Sequence, residues 1–385
     1  MNESVDSEPI KSNLTSLVLP VLALASYLTS FLRERYLIQQ ALGLAALDQS
    51  VAAYAVASLA GNVYATALGL IWLDGRRIPR WATSFGTVAV VGLALTTISP
   101  TVGTCLILAS LIAAFDFARQ KSALRGRQPA VLLAATIAPA VSIIWWEVVG
   151  VDSLLRIVAG YAAGYVLQAG VSWLVARRTT PRERSDRAPV SVGFPVAFAL
   201  LAQANALLDR FLLPFLATGW AGAGAFALNL ASAAMLIIVA PLASEAVAGK
   251  LPAQPSRLFL VAASFVAVVG ALAVPHVVPH LVAGGLVRGV NLQRLETLTS
   301  VYLLAMPALG YWNYRSRALQ ASNVQWRSVT TATGAMFVVH GVISVPAAMF
   351  DHPVGVVMGM LISSYVGAAL LYPRRAGASQ EGVSA

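Results

Sequence analysis

Apolar residues in this chain come in long unbroken runs, with neither the alternation of a strand nor the one-sided period of a soluble helix. Twelve runs can be drawn, over 14–42, 50–73, 82–98, 101–118, 129–149, 153–176, 190–216, 221–247, 257–282, 297–316, 328–350 and 353–372. Each is near the ~20 residues that an α-helix needs to cross a hydrocarbon core about 30 Å thick. The pattern therefore predicts an all-α polytopic membrane protein, not a barrel of ~10-residue strands. Three of the breaks are weakly marked: Ser99-Pro100-Thr101, the turn after Trp220, and Asp351-His352-Pro353.

The polar loops between the runs set an orientation. Arg76, Arg77 and Arg80 follow the second span, and Arg119, Lys121, Arg125 and Arg127 follow the fourth. Arginines crowd the loop after the sixth span, Lys250 and Arg257 follow the eighth, Arg315, Arg317 and Arg327 the tenth, and Arg374 and Arg375 the twelfth. Loops after odd-numbered spans are nearly free of Lys and Arg. Positive charge collects on the cytoplasmic side, so both termini are expected in the cytoplasm.

Composition agrees with this. Of 385 residues, 58% are hydrophobic and only 11% charged, against about 25% charged in soluble proteins. The net charge of +10 is spread over short loops and forms no basic domain, so no nucleic acid partner is expected. The first dozen residues lack a basic n-region, and no cleavable signal peptide is expected. The single cysteine, Cys105, lies in an apolar run and reads as a packing residue. No P-loop is present, and His276, His280, His340 and His352 form no metal-binding pattern. No enzyme, no metal and no bound cofactor is expected; transport coupled to the membrane potential or to a cation is what this leaves.

Two departures from apolarity carry the candidate chemistry. Arg33, Glu34 and Arg35 fall toward the extracytoplasmic end of the first span, where the charge rule predicts few positives. A run of that length rises about 43 Å as a helix, so the first helix is expected to be long, tilted or bent, with its charges turned to a cavity. Asp209 and Arg210 lie in the middle of the seventh span, pointing about 100° apart and each needing a partner elsewhere. Arginine's planar fork suits a phosphate. Asp48 either caps the second helix or orients Arg33 or Arg35. Asp116, Glu147 and Glu245 read as interfacial acids, and Trp145-Trp146 as an aromatic belt. Pro195, Pro214, Pro241 and Pro307 are candidate kinks.

The loop over 177–189 is the longest polar connection and divides the spans six and six. The expected organisation is a tail over 1–13, an N-lobe over 14–176, a basic linker over 177–189, a C-lobe over 190–372 and a tail over 373–385. Six spans per half make any repeat a parallel one. A faint one is present: Glu34-Arg35 is echoed by Asp209-Arg210, Gly43 by Gly219, and Ala57-Ser58-Leu59-Ala60 by Ala231-Ser232-Ala233-Ala234.

FLRERYLIQQALGLAALDQSVAAYAVASL, with Arg33, Gly43 and Asp48, resembles the first-helix signature of the MurJ/MviN-like lipid II flippases of the MOP superfamily. NALLDRFLLPFLATGWAGAGAFALNLASAAMLIIVAPLASEAV, with Asp209, Arg210, Gly219 and Pro241, is similar to that family's Asp-Arg helix and the proline-ended helix after it. MPALGYWNYRSRALQASNVQW matches more loosely. The chain departs from the family at Ala25-Ser26-Tyr27 and Gly61-Asn62, where arginines are usual, and in having twelve spans, not fourteen. The resemblance implies two MATE-like six-helix lobes around a central cavity. Arg33, Arg35 and Arg210 would bind the pyrophosphate of a polyprenyl-linked glycan, held in place by Asp48 and Asp209. Gly43, Pro214, Gly219 and Pro241 would be hinges. It implies a monomer in a bacterial inner membrane, with the glycan lipid and membrane lipids as its partners. The substrate it implies is either lipid II or a surface-polysaccharide unit. The alternatives are a cation-coupled MATE-type exporter of small amphipathic metabolites and a non-transporting homologue.

Overall fold

A computed structural model describes residues 8–40, 44–73, 85–123, 128–176, 193–234, 257–282, 292–321 and 326–372. Twelve α-helices run through them: α1 (Glu8–Gln40), α2 (Leu44–Leu73), α3 (Phe85–Leu95), α4 (Pro100–Ala123), α5 (Gln128–Val149), α6 (Leu154–Ala176), α7 (Gly193–Leu212), α8 (Trp220–Ala234), α9 (Arg257–Val282), α10 (Leu292–Ala321), α11 (Trp326–Met349) and α12 (Pro353–Leu371). The fold is all-α and polytopic, one helix for each expected span. Seven of the helices are long and apolar enough to cross a membrane by length and composition alone. Among the others, α1 carries Arg33, Glu34 and Arg35, and α10 carries Arg294, Glu296 and Arg315. Their polar residues pull the average down.

The helices pack as two similar lobes. In the first, α2 and α6 both pack on α4, α5 packs on α6, α1 on α5 and α3 on α4. Adding six to each number gives the contacts of the second: α8 and α12 on α10, α11 on α12, α7 on α11 and α9 on α10. The lobes meet through α2 on α7 and, reciprocally, α1 on α8, with α2 also on α8. Contacts that repeat in the same chain direction are those of a parallel pseudo-two-fold. The linker over 177–189 lies outside the described residues, as do Gly43 and Pro241.

Within the first lobe, Trp146 corrects the belt reading. Trp145 is 40% exposed, but Trp146 is 1% exposed. The Trp146 indole stacks on Tyr36 with centroids 6.2 Å apart and meets Tyr161 edge-on at 5.3 Å. Its Nε1 donates to the Ile157 carbonyl at 3.1 Å, which satisfies the one polar atom of a buried ring. Gly160 makes this possible, since a Cβ there would stand 1.9 Å from Nε1. Gly160→Val is therefore expected to lower stability by about 1–3 kcal/mol, the usual cost of overpacking. The thermal midpoint in detergent should fall, and the tryptophan emission should shift as Trp146 is displaced. An unchanged midpoint would contradict this packing.

Two prolines also behave differently from the expectation. Pro195 lies in the first turn of α7, where its missing N–H breaks no bond. Pro214 does not bend α7: the helix stops at Leu212 and a 3-10 turn over Leu213–Phe215 follows. Pro307 lies inside α10.

Candidate functional site

Arg33 and Glu34 of α1 and Arg210 of α7 gather at one group of tyrosines where the lobes meet. Arg33 lies over the Tyr161 ring, its guanidinium carbon 4.7 Å from the centroid. Tyr161 of α6 packs on Tyr54 of α2 with centroids 5.1 Å apart. Arg210 stands 5.8 Å from the Tyr54 centroid. Two arginines, one from each lobe, thus face the same pair of tyrosines, which share the negative faces of their rings with them. Tyr165 extends the cluster through a 2.9 Å bond between its hydroxyl and that of Tyr54. Asn62 of α2 donates to Gln203 of α7 at 3.3 Å and adds a neutral polar rung between the lobes.

The two arginines are held differently. Arg33 donates through Nε and Nη2 to Glu34 Oε1 at 3.2 and 2.8 Å, and Tyr161 donates to the same carboxylate at 3.0 Å. The side chains of Arg33 and Glu34 are 13% and 12% exposed, so this neighbouring pair is held largely away from solvent. Arg210 Nη2 donates to Asn229 of α8 at 3.2 Å. Arg210 Nε is buried and has no hydrogen-bond partner. A buried donor without an acceptor is costly, and an anionic oxygen is the partner that this one suits. Arg35 is half-buried on α1 and lies about 200° round the helix from Arg33.

Asp48 does neither of the two things its position suggested. It is 6% exposed, and it caps the other lobe's helix. Its Oδ2 accepts the Gly219 N–H at 2.8 Å and its Oδ1 the Gly222 N–H at 3.0 Å. Those are amides at the start of α8, which lack carbonyl partners within the helix and carry its positive pole. Gly219 has φ +97°, a conformation that glycine takes without strain, and its amide reaches Asp48 from there. At the same end of the lobes Phe31 of α1 packs across on Phe226 of α8, with centroids 5.0 Å apart, while within the second lobe Arg294 of α10 stacks over Trp220 at 4.4 Å. This end is closed by contacts between lobes.

Asp209 turns away from Arg210 and into the second lobe. Its Oδ1 lies 2.8 Å from His340 Nε2 of α11, and its Oδ2 accepts the Tyr302 hydroxyl of α10 at 2.9 Å. His340 Nδ1 faces Asn205 Oδ1 at 3.1 Å. Asp209, His340 and Tyr302 are 1%, 0% and 0% exposed. Of the other acids, Asp116 is buried at 7% exposure, Glu147 is exposed and Glu245 lies outside the described residues. Among the described residues, no three His, Cys, Asp or Glu side chains gather as a metal would require.

The tyrosines, Asn229 and His340 were not legible as site residues. A lone tyrosine or histidine in an apolar run has no signature until its neighbours are known. Only Tyr54 had an indirect signal, lying on the same stretch as Asp48.

Comparison with known proteins shows the architecture. No family model matches the chain, and no curated protein matches it in sequence. Among solved structures it is similar to the lipid II flippase MurJ in an inward closed conformation, with TM-score 0.65 and 13% identity over 93% of this chain and 86% of that one. It is also similar to the Vibrio cholerae MATE transporter VcmN, with TM-score 0.56 and 15% identity over 94% of this chain and 96% of that one. A MOP-superfamily transporter from Pyrococcus furiosus, described by the reversed polarity of its binding pocket, matches with TM-score 0.52 and 13% identity over 93% and 94% of the two chains. At such identities the likeness establishes the MOP/MATE-like fold.

Proposed function

We propose that this chain is a transporter whose lobes rock to expose a central site to each side of a membrane in turn, and that the site takes an amphiphile with a phosphate-bearing head group. One observation carries the reading: Arg33 and Arg210, from different lobes, converge on the Tyr161–Tyr54 pair. A ligand between them touches both lobes and is therefore sensitive to their relative position. The specific substrate is a polyprenyl-pyrophosphate-linked glycan, moved from the inner to the outer leaflet of a bacterial cytoplasmic membrane. Its pyrophosphate would meet the guanidinium forks, its sugars the tyrosines, and its tail would stay in lipid. The charge rule puts the end closed by Asp48 outside the cell. Arg35 would act as an outlying positive charge on the path of the head group, and the protein would work as a monomer.

A second reading is a cation-coupled exporter of small amphipathic metabolites. Glu34 favours it, because its ion pair with Arg33 leaves the cluster less cationic than two free arginines would be. Complementation of a conditional lipid II flippase depletion separates the two. The first reading predicts rescue by the wild type and loss of rescue in Arg33→Ala and Arg210→Ala at equal membrane levels. No rescue by a correctly inserted wild type would remove lipid II as the substrate.

A further inference from the structure

We propose that the site has a second, uncharged tier, formed by Asn62 and Gln203, which reads the sugar next to the phosphates and so decides which lipids the protein accepts. The tier belongs to the same head-group site, so this assignment rests on the reading of Arg33 and Arg210 given above.

α2 and α7 run antiparallel along the boundary between the lobes, and three contacts mark levels on them. Asp48 holds the Gly219 amide just beyond α7, Tyr54 meets Arg210, and Asn62 Nδ2 donates to Gln203 Oε1 at 3.3 Å. Asn62 lies eight residues after Tyr54, and Gln203 seven before Arg210. At a rise of about 1.5 Å per residue, the amides stand about 12 Å from the arginine level along α2 and about 10 Å along α7. The two helices agree on the spacing, so both levels belong to one strip. With the Asp48 end outside the cell, the amides lie on the cytoplasmic side of the arginines.

The strip is not packed shut between its two levels. Ala206 stands on that side of α7, three residues after Gln203 and four before Arg210, and it is exposed. A side chain so small is exposed between two polar levels only where the facing helix leaves a gap. On α2, Ser58 lies four residues from both Tyr54 and Asn62. It is 4% exposed, and its Oγ has no hydrogen-bond partner. A helical serine or threonine can return this bond to its own backbone, as Thr66 does to the Asn62 carbonyl at 2.8 Å. Ser58 does not, and a buried hydroxyl without a partner is costly. Asn62 and Gln203 are half-buried, so a ligand can reach them. Their mutual bond uses one donor and one acceptor and leaves the rest of both amides to offer.

Charge is confined to the other end of the strip, at Arg33, Glu34 and Arg210. What suits the amide level is a neutral group rich in atoms that both donate and accept, which describes the hydroxyls and N-acetyl amide of a sugar. A head group with its phosphates at the arginines places its sugar in the gap beside Ala206 and the outer hydroxyls at the amides. A site that hydrogen-bonds a ligand's polar groups favours that ligand over the analogue lacking them.

The test uses full-length protein in nanodiscs offered three lipids separately, with retention read by native mass spectrometry. The lipids are undecaprenol, undecaprenyl pyrophosphate, and undecaprenyl pyrophosphate bearing one N-acetylglucosamine. The wild type should retain the sugar-bearing lipid about tenfold better than the bare pyrophosphate. Asn62→Ala and Gln203→Ala should each lower that ratio about threefold. The double variant should bring it close to unity while holding the bare pyrophosphate as the wild type does. Asn62→Leu/Gln203→Met keeps the side-chain volume and should give the same loss, so a misfolded alanine variant does not decide the matter. A wild-type ratio near unity, or a ratio that survives in both double variants, overturns the proposal. So does an equal loss of both pyrophosphate lipids in protein that melts like the wild type, the result expected if the amides only hold the lobes together. Undecaprenol checks the arginines alone. Its retention on a par with undecaprenyl pyrophosphate would sink the head-group reading, whereas the sugar ratio compares two pyrophosphate lipids, so the two failures are distinct.

Discussion

Arg210→Ala is expected to lower the affinity for a pyrophosphate-bearing amphiphile at least tenfold, with Arg33→Ala close behind and the double variant showing no measurable binding. The magnitude follows from the chemistry of the contact. A hydrogen bond to a charged group contributes about 1.5–3 kcal/mol, and every 1.4 kcal/mol is a factor of ten in affinity. Arg210 is given the larger effect because its buried Nε has no acceptor, whereas Arg33 already spends two donors on Glu34. Arg210→Lys should recover part of the loss, since it keeps the charge and gives up the fork. Glu34→Gln should act in the opposite direction and tighten anion binding by freeing Arg33. A twofold or smaller effect of Arg210→Ala, in protein that melts like the wild type, would mean that the head group sits elsewhere.

The second large effect is expected at Asp48. Two backbone amides of α8 lean on its carboxylate, and the contact joins the lobes. Asp48→Ala removes two charge-assisted bonds and the cap of a helix N-terminus at once. The closed state should lose about 2–4 kcal/mol relative to the open one, a shift of roughly 30- to 1,000-fold in their ratio. Distances between labels at Gln49→Cys and Thr218→Cys should then move from a closed to an open population. Asp48→Asn keeps one good acceptor oxygen and should fall between. Identical distributions in wild type and Asp48→Ala would show that Phe31 and Phe226 hold this end shut without help.

Much of the architecture could be read from the chain because hydrophobic runs of spanning length are a signal carried by each segment alone. The twelve helices needed no partner to be seen, even across the weakly marked breaks at Ser99-Pro100 and Asp351-His352. The doubling of the fold was visible only faintly, in Glu34-Arg35 and Asp209-Arg210, because the repeat is one of helix contacts and very little of sequence. Arg33 and Arg210 stood out because charge in an apolar run is conspicuous. Their convergence on Tyr161 and Tyr54 was not visible, since Tyr161 lies 127 residues from Glu34. Asp48 was noticed and its role was not: its partners are backbone amides 171 and 174 residues away, which no residue type advertises. His340 was passed over for the same reason. A lone histidine in an apolar helix says nothing until Asp209 and Asn205 are seen beside it. Trp146 misled because a tryptophan pair near a span end has the composition of a belt, and only the gap left by Gly160 draws one of the two inside.

The most direct measurement is the binding of undecaprenyl pyrophosphate and of undecaprenol, presented separately to nanodisc-embedded wild type and the Arg33→Ala/Arg210→Ala double variant and read by native mass spectrometry. A site built by two arginines from opposite lobes predicts that the wild type retains the pyrophosphate lipid far better than the alcohol, and that the double variant holds the two alike. Equal retention of both lipids by the wild type, or a preference for the pyrophosphate that survives in the double variant, would contradict it.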